Sequence, residues 1–136
     1  MASQADIEAF MAAEFPQNVS TIEQVGNRSA TLRHRVTAQD LRPGGTVSGP
    51  VMMMLADVAL YVAILGEIGI VPLTVTTSLN FNFLRKPTAN ADLLAVCTLM
   101  KVGRTLAIGE VALYSDGSSE MVAHAVGTYA IPRPTA

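Results

Sequence analysis

The sequence predicts an α+β domain in which one long, enclosed helix lies across a curved antiparallel sheet. Two observations carry that prediction. Between Pro50 and Gly66 every residue except Asp57 is apolar, alanine or Tyr61, and a helix apolar all round must be wrapped all round. After Pro72 the chain reads as successive strand-like segments at hairpin spacing with no further helix among them, which excludes a doubly wound α/β fold.

Each element has its own signal. Within the N-terminal segment 1–16, residues 2–15 predict a short amphipathic helix: Ile7, Phe10, Met11 and Phe15 recur at helical spacing before Pro16 stops it. Residues 19–37 predict a hairpin turning at Gly26-Asn27, and the glycine- and proline-rich stretch 41–49 predicts a loop. The central helix spans 50–66, because Pro50 suits a first turn whose N–H is not needed and Gly66 suits an end. In 74–84 the alternation puts Val75, Thr77, Leu79, Phe81 and Phe83 on one face, and Thr74, Thr76, Ser78, Asn80 and Asn82 on the other. Strands 91–102 and 105–114 flank a tight Val102-Gly103-Arg104 turn, and Asp116-Gly117 introduces the last strand, 120–131. No repeat or second domain interrupts the 136 residues.

Composition narrows the function. Half of the residues are hydrophobic and 15% are charged, more apolar surface than one small subunit can bury, so a subunit interface is expected. The net charge is −2 and no basic run occurs, so the clustered cations that a phosphate backbone requires are missing and nucleic acid is not an expected partner. Cys97 stands alone and His34 and His124 are the only histidines, which rules against a disulfide framework or a zinc site. Cys97 reads as a small core hydrophobe, and the two histidines as strand residues of no special role. Asp6, Glu8 and Glu14 stand where the basic region of a signal peptide would lie. The apolar run 51–65 is shorter than the roughly 20 residues of a membrane span and contains a carboxylate. A cytoplasmic protein without a membrane partner is expected.

Asp57 is the costliest residue to explain. A carboxylate two turns into an apolar helix must meet donors, water or a cleft, since burying it unpaired costs several kcal/mol. It reads either as a structural tie or as a general base or nucleophile. The stretch Gly44-Gly45-Thr46-Val47-Ser48-Gly49-Pro50 delivers the chain into that helix, whose first free N–H groups can hold an oxyanion. Pro50 has no N–H, so the donor is Gly49 or Val51, and glycine lets a ligand come close. The same stretch also reads as an ordinary glycine-rich entry. It is neither a nucleophile elbow nor a P-loop. The neutral amide and hydroxyl face of 74–84 reads as a solvent face or as a cleft wall or interface, and its lack of Lys and Glu favours the second. Arg85, Lys86, Lys101 and Arg104, at strand ends and turns, are solvated surface singly, and together they could meet a nucleotide's phosphates.

Over roughly residues 25–132 the chain resembles the hotdog thioesterases of the phenylacetate-pathway (PaaI-like) type. The resemblance rests on Gly45-Thr46-Val47, Gly49 and Leu55-Ala56-Asp57, then on Leu79-Asn80-Phe81, Phe83-Leu84-Arg85 and Pro87. Gly103-Arg104-Thr105 and Gly127-Thr128-Tyr129 complete it. It implies acyl-CoA hydrolysis at a dimer interface with no metal or organic cofactor, in a homodimer joined sheet edge to sheet edge or in a dimer of dimers. It also implies roles: Asp57 activates water or attacks the carbonyl, Gly49 N–H polarises the thioester oxygen, and Thr76 from the other subunit helps place the water. Gly103 and Arg104 then lie near the CoA moiety, with Lys101 and Arg85 as further contacts. Two departures stand out. Many relatives read His-Gly-Gly where this chain has Ser48-Gly49-Pro50, and Asn where it has Arg42. Both positions surround the thioester, so Ser48 and Arg42 are expected to bear on a different substrate or a weakened activity. The rival expectations are a non-catalytic acyl-CoA binding protein on the same fold and a dehydratase, although the latter chemistry usually recruits a histidine.

Overall fold

The computed structural model describes residues 1–133. Helix α1 (Gln4–Glu14) is closed by a capping box: Ser3 Oγ accepts the Asp6 N–H at 3.1 Å, and Asp6 Oδ2 accepts the Ser3 N–H at 3.1 Å. It buries Ile7 and Met11 against the central helix and ends one residue short of the prediction, at the Phe15 cap. Strands β1 (Thr21–Gly26) and β2 (Ser29–His34) form the expected hairpin.

The predicted loop 41–49 contains a small ladder instead. A 3-10 turn (Ala38–Asp40) leads into β3 (Leu41–Arg42), which pairs antiparallel with β4 (Thr46–Val47). The reversal between them needs left-handed backbone, and Gly44 and Gly45 supply it at φ 101° and 80°.

Helix α2 (Gly49–Ile68) outruns its predicted end by two residues. Gly66 does not stop it. A Cβ there would sit 2.8 Å from Val25 Cγ1, so this glycine exists to let the β1–β2 hairpin pack close. The stop is Gly69, at φ 94°, whose N–H bonds Leu65 O at 2.9 Å. From Val58 to Gly66 every residue of α2 is buried, as an enclosed helix requires.

The sheet that encloses it adds β5 (Val75–Phe83), β6 (Leu93–Val102), β7 (Leu106–Ser115) and β8 (Met121–Ala130). The six strands run in the order β1-β2-β6-β7-β8-β5, every pair antiparallel. Alternate residues such as Leu32, Ala95, Cys97, Val111 and Ala125 are fully buried and form the core with α2. Burial pushes the Cys97 thiol up to about 12, with Glu110 adding to it, so Cys97 is inert packing.

Strand β5 is an edge of the sheet, and it breaks the strict alternation expected of it. Its pairing with β8 shifts between Thr76 (opposite Tyr129) and Ser78 (opposite Thr128), a bulge at Thr77. One extra residue reverses the phase. Leu79, Phe81 and Phe83 lie opposite the buried Gly127, Ala125 and Ala123, and Thr76 joins that face opposite the buried Tyr129. Val75 is turned out and is half exposed. The bulge is therefore what presents Thr76 to α2.

Candidate functional site

Asp57 meets α2's neighbours at the start of β5 and the end of β8. Its Oδ1 accepts a hydrogen bond from Thr76 Oγ1 at 2.7 Å and another from the Tyr129 hydroxyl at 2.6 Å. The Tyr129 hydroxyl also lies 2.8 Å from the Asp57 carbonyl oxygen, so its single proton faces two acceptors of one residue. Thr76 belongs to the same chain as the Asp57 it bonds. The bulge at Thr77 is what brings this threonine round to the carboxylate of its own chain. Tyr129 had no place among the expected site residues. Its signal was the inward run Ala123, Ala125, Gly127, Tyr129, at the end of which a tyrosine must find a partner for its hydroxyl.

Tyr129 is 3% exposed. Burial first, and then the Asp57 charge and the bond to it, push its hydroxyl well above the ordinary tyrosine range, so it stays a donor at any working pH. With Oδ1 taken by two donors, Oδ2 accepts none among the described residues. One carboxylate oxygen is pinned and the other is open to water or a substrate. Tyr129→Phe is expected to lower stability by about 1.5–3 kcal/mol, the usual worth of a hydrogen bond to a charged group. Denaturant unfolding measures it, and an unchanged midpoint would mean the bond contributes nothing.

The second half of the site lies at the start of α2. As the first residue of the helix, Gly49 has no carbonyl four back within it to occupy its N–H. Ser48 stands at the cap but its side chain bonds no helix amide. The turn is held from behind: Ser48 N–H donates to Asp40 O at 2.8 Å. Asp40 in turn receives His34 Nε2 and the Thr37 N–H, each at 2.8 Å from Oδ2. Burial alone would raise the Asp40 carboxyl, but the Thr37 amide and His34 outweigh it and hold it below the usual range. His34, 3% exposed, thus anchors the entry to α2, a role its position in a strand did not announce. His124, by contrast, only approaches Glu110 at 3.3 Å.

Gly49 opens onto a cavity of about 470 Å³ lined by Arg42, Val47, Met52, Phe83, Arg85 and Lys86. Two of the expected substrate contacts, Arg42 and Arg85, are therefore gathered around Gly49, with Lys86 as a third cation. Arg85 also meets Glu120 at 3.3 Å, an exposed pair of small energetic weight. Lys101, Gly103 and Arg104 are not brought to this cavity. Lys101 lies in the last part of β6, paired with Ile108, and Gly103 and Arg104 form the β6–β7 turn, where Gly103 N–H bonds Leu106 O at 2.8 Å. That turn lies at the Thr76 end of the sheet, since Leu106 and Val75 both pair with Ala130.

The expected residues thus fall into two groups within one chain. Gly49 and Asp57 are eight residues apart on one helix, about 12 Å along its axis at 1.5 Å per residue. Among the described residues no group of three His, Cys, Asp or Glu side chains is placed to hold a metal ion.

The profile of the family described as the Thioesterase superfamily matches residues 44–122, from the β3–β4 turn through Asp57 into β8. A protein from Silicibacter sp. TM1040, provisionally assigned as a thioesterase, is 41% identical and superposes with a TM-score of 0.88 over 96% of this chain and 92% of that one. Zebrafish thioesterase superfamily member 2 superposes at 0.85 with 20% identity, over 97% of this chain and all of the other (100%). A single-residue mutant of the phenylacetic acid degradation protein PaaI from Thermus thermophilus gives 0.74 with 24% identity, over 91% and 99%. These last two likenesses are of fold. No curated protein sequence matches the chain.

Proposed function

The chain belongs to the thioesterase superfamily and has its hotdog fold, and from that premise we propose that it hydrolyses a small acyl-CoA thioester at a site shared between two copies of itself. The observation that carries this reading is the Asp57 carboxylate, pinned through Oδ1 by Thr76 and Tyr129 with Oδ2 open. A base and an oxyanion donor must each lie about 3 Å from the reacting groups of one thioester. The 12 Å or so between Gly49 and Asp57 along one helix is too far for that. Two chains resolve the conflict. Strand β5 ends the sheet with an unpaired edge, and exposed Met53, Met54, Val75, Phe83 and Leu84 lie along it and on the adjoining part of α2. Antiparallel pairing of two β5 strands about a twofold axis sets the Thr76 end of one beside the Phe83–Arg85 end of the other. Gly49 sits at that second end, where a Cβ on it would lie 3.1 Å from Phe83 Cζ. Asp57 of one copy then faces Gly49 of its partner.

The chemistry follows from that arrangement. Asp57 Oδ2 takes a proton from water as the water oxygen attacks the thioester carbon, or attacks that carbon itself to give, once the thiolate has left, an acyl anhydride that water hydrolyses. Charge gathers on the former carbonyl oxygen, where the Gly49 N–H meets it. Collapse breaks the C–S bond, and the CoA thiolate leaves and is protonated. Arg42, Arg85 and Lys86 of one copy, with Lys101 near the end of β6 and Arg104 on the β6–β7 turn of the other, form a cationic mouth suited to the CoA phosphates. Ser48 and Arg42 differ from the usual pattern at the thioester without altering the pinned acid or the free amide.

A panel of short, long and aromatic acyl-CoA esters, followed by release of free thiol, tests the reading. Hydrolysis of at least one short acyl ester well above the spontaneous rate is expected. Binding of the panel with no thiol released would overturn it in favour of a non-catalytic acyl-CoA binding protein.

A further inference from the structure

The Gly49 N–H belongs to the peptide unit whose carbonyl is that of Ser48. That unit is planar and trans, so its N–H points away from its C=O, and fixing one fixes the other. Ser48 O turns into α2, where Met52 N–H reaches it at 3.4 Å, long for such a bond. The firmer hold is on the other side of Ser48, whose own N–H meets Asp40 O at 2.8 Å. The Ser48 side chain bonds no helix amide. The direction of the Gly49 N–H therefore depends on where Asp40 stands.

Asp40 is fixed through its carboxylate. Its Oδ2 accepts the Thr37 N–H and His34 Nε2, each at 2.8 Å, and lies 3.3 Å from Thr37 Oγ1. Thr37 and Asp40 belong to one short turn, so the bonds between them close that turn on itself. Of these bonds, only the one from His34 ties the turn to the six-stranded sheet. His34 ends the buried row Ala30, Leu32, His34 of β2. The Asp40 carboxylate, held ionised, only accepts, so Nε2 carries the proton. Nδ1 is buried with no partner among the described residues, a penalty that a leucine in that row would avoid. What a histidine supplies here is the bond from Nε2.

We propose that His34 and Asp40 are positioning residues for the hydrolysis: they hold Ser48, and through it the Gly49 N–H, at the angle the developing oxyanion requires. The proposal rests on the thioesterase reading above and deepens it. Neither side chain need touch the substrate. Their effect falls on kcat with KM unmoved, because the amide meets a charge that exists only in the transition state. Thr46 Oγ1 still ties β4 to Pro87 O at 2.8 Å, so loss of the His34 bond loosens the turn without releasing it.

Three substitutions of His34 and one double variant test it on the best ester of the panel, with thermal melting to confirm each fold. His34→Leu keeps the bulk and removes the donor; it should lower kcat about ten- to hundredfold, the reach of a small misplacement, with KM unchanged. His34→Gln carries an amide N–H to the neighbourhood of Nε2 and should recover most of the native rate. His34→Asn reaches only to the neighbourhood of Nδ1 and should not. In a Gly49→Pro background no N–H is left to aim, so adding His34→Leu should deepen the loss by less than about twofold. Losses that multiply in full, an unchanged kcat in His34→Leu, or equal rates with glutamine and asparagine would each overturn the proposal and leave the thioesterase reading standing. Should His34→Leu fail to fold, glutamine against asparagine decides; failure of all three to fold would make His34 a structural residue only and overturn it. A Gly49→Pro protein of native rate would overturn the oxyanion assignment and the proposal together. Hydrolysis of none of the panel would overturn the thioesterase reading and the proposal with it.

Discussion

Asp57→Asn is expected to reduce turnover by about 10²–10⁴-fold, the usual contribution of a positioned general base, while the protein stays folded. The geometry explains why the loss should be so clean. Asparagine keeps an oxygen at the position of Oδ1, so Thr76 and Tyr129, at 2.7 and 2.6 Å, retain their acceptor. What changes is the other atom: an amide nitrogen replaces Oδ2 and can neither take a proton nor attack a carbonyl. Steady-state kinetics with the best ester of the panel give the rate, thermal melting gives the fold, and titration with a thioether analogue of the substrate gives binding. Undiminished turnover would make Asp57 a structural tie between α2 and the sheet, and the mechanism would fall.

Gly49→Pro is expected to cost about 10²–10³-fold in kcat, as deletion of an oxyanion donor does elsewhere. The substitution removes the N–H at the first position of a helix, where proline's fixed φ is tolerated. It also adds atoms beside the Phe83 ring, 3.1 Å from where a Cβ would lie, although Phe83 is half exposed and can swing aside. Gly49→Ala imposes the same crowding but keeps the N–H. The difference between proline and alanine therefore isolates the amide from the packing. Equal losses in both would mean the effect is steric and the oxyanion assignment is wrong.

Much of this could be read before the structure. Asp57 announced itself because a carboxylate inside an otherwise apolar helix needs a reason, and Gly49 because proline at 50 leaves few donors at that helix start. Helix α2 and the strands were legible from period and turn residues. What escaped has a common cause, in that it depends on contacts between distant segments. Gly66 looks like a helix end until Val25 is seen packed against it. Perfect alternation in 74–84 hid the bulge at Thr77, because a bulge leaves the order of residues unchanged and alters only which face each takes. Tyr129 lies 72 residues beyond Asp57, and no local pattern links them. The division of the site into a Gly49 group and an Asp57 group was equally invisible, since spacing along a helix measures separation in one chain and says nothing of a second.

That division also makes the central claim testable by mixing. If each site takes Asp57 from one copy and Gly49 from the other, two inactive variants can restore each other. A dimer pairing an Asp57→Asn chain with a Gly49→Pro chain has one site with both changes and one with neither. Co-refolding the two variants in equal amounts should yield half heterodimers by random pairing, each with one working site of two, and so about a quarter of native activity. Differently tagged chains, captured in sequence, establish that the heterodimer has formed. Recovery of about a quarter of native turnover by the mixture, against almost none from either variant alone, is the predicted result. Heterodimers that form in that proportion and remain inactive would contradict the shared site.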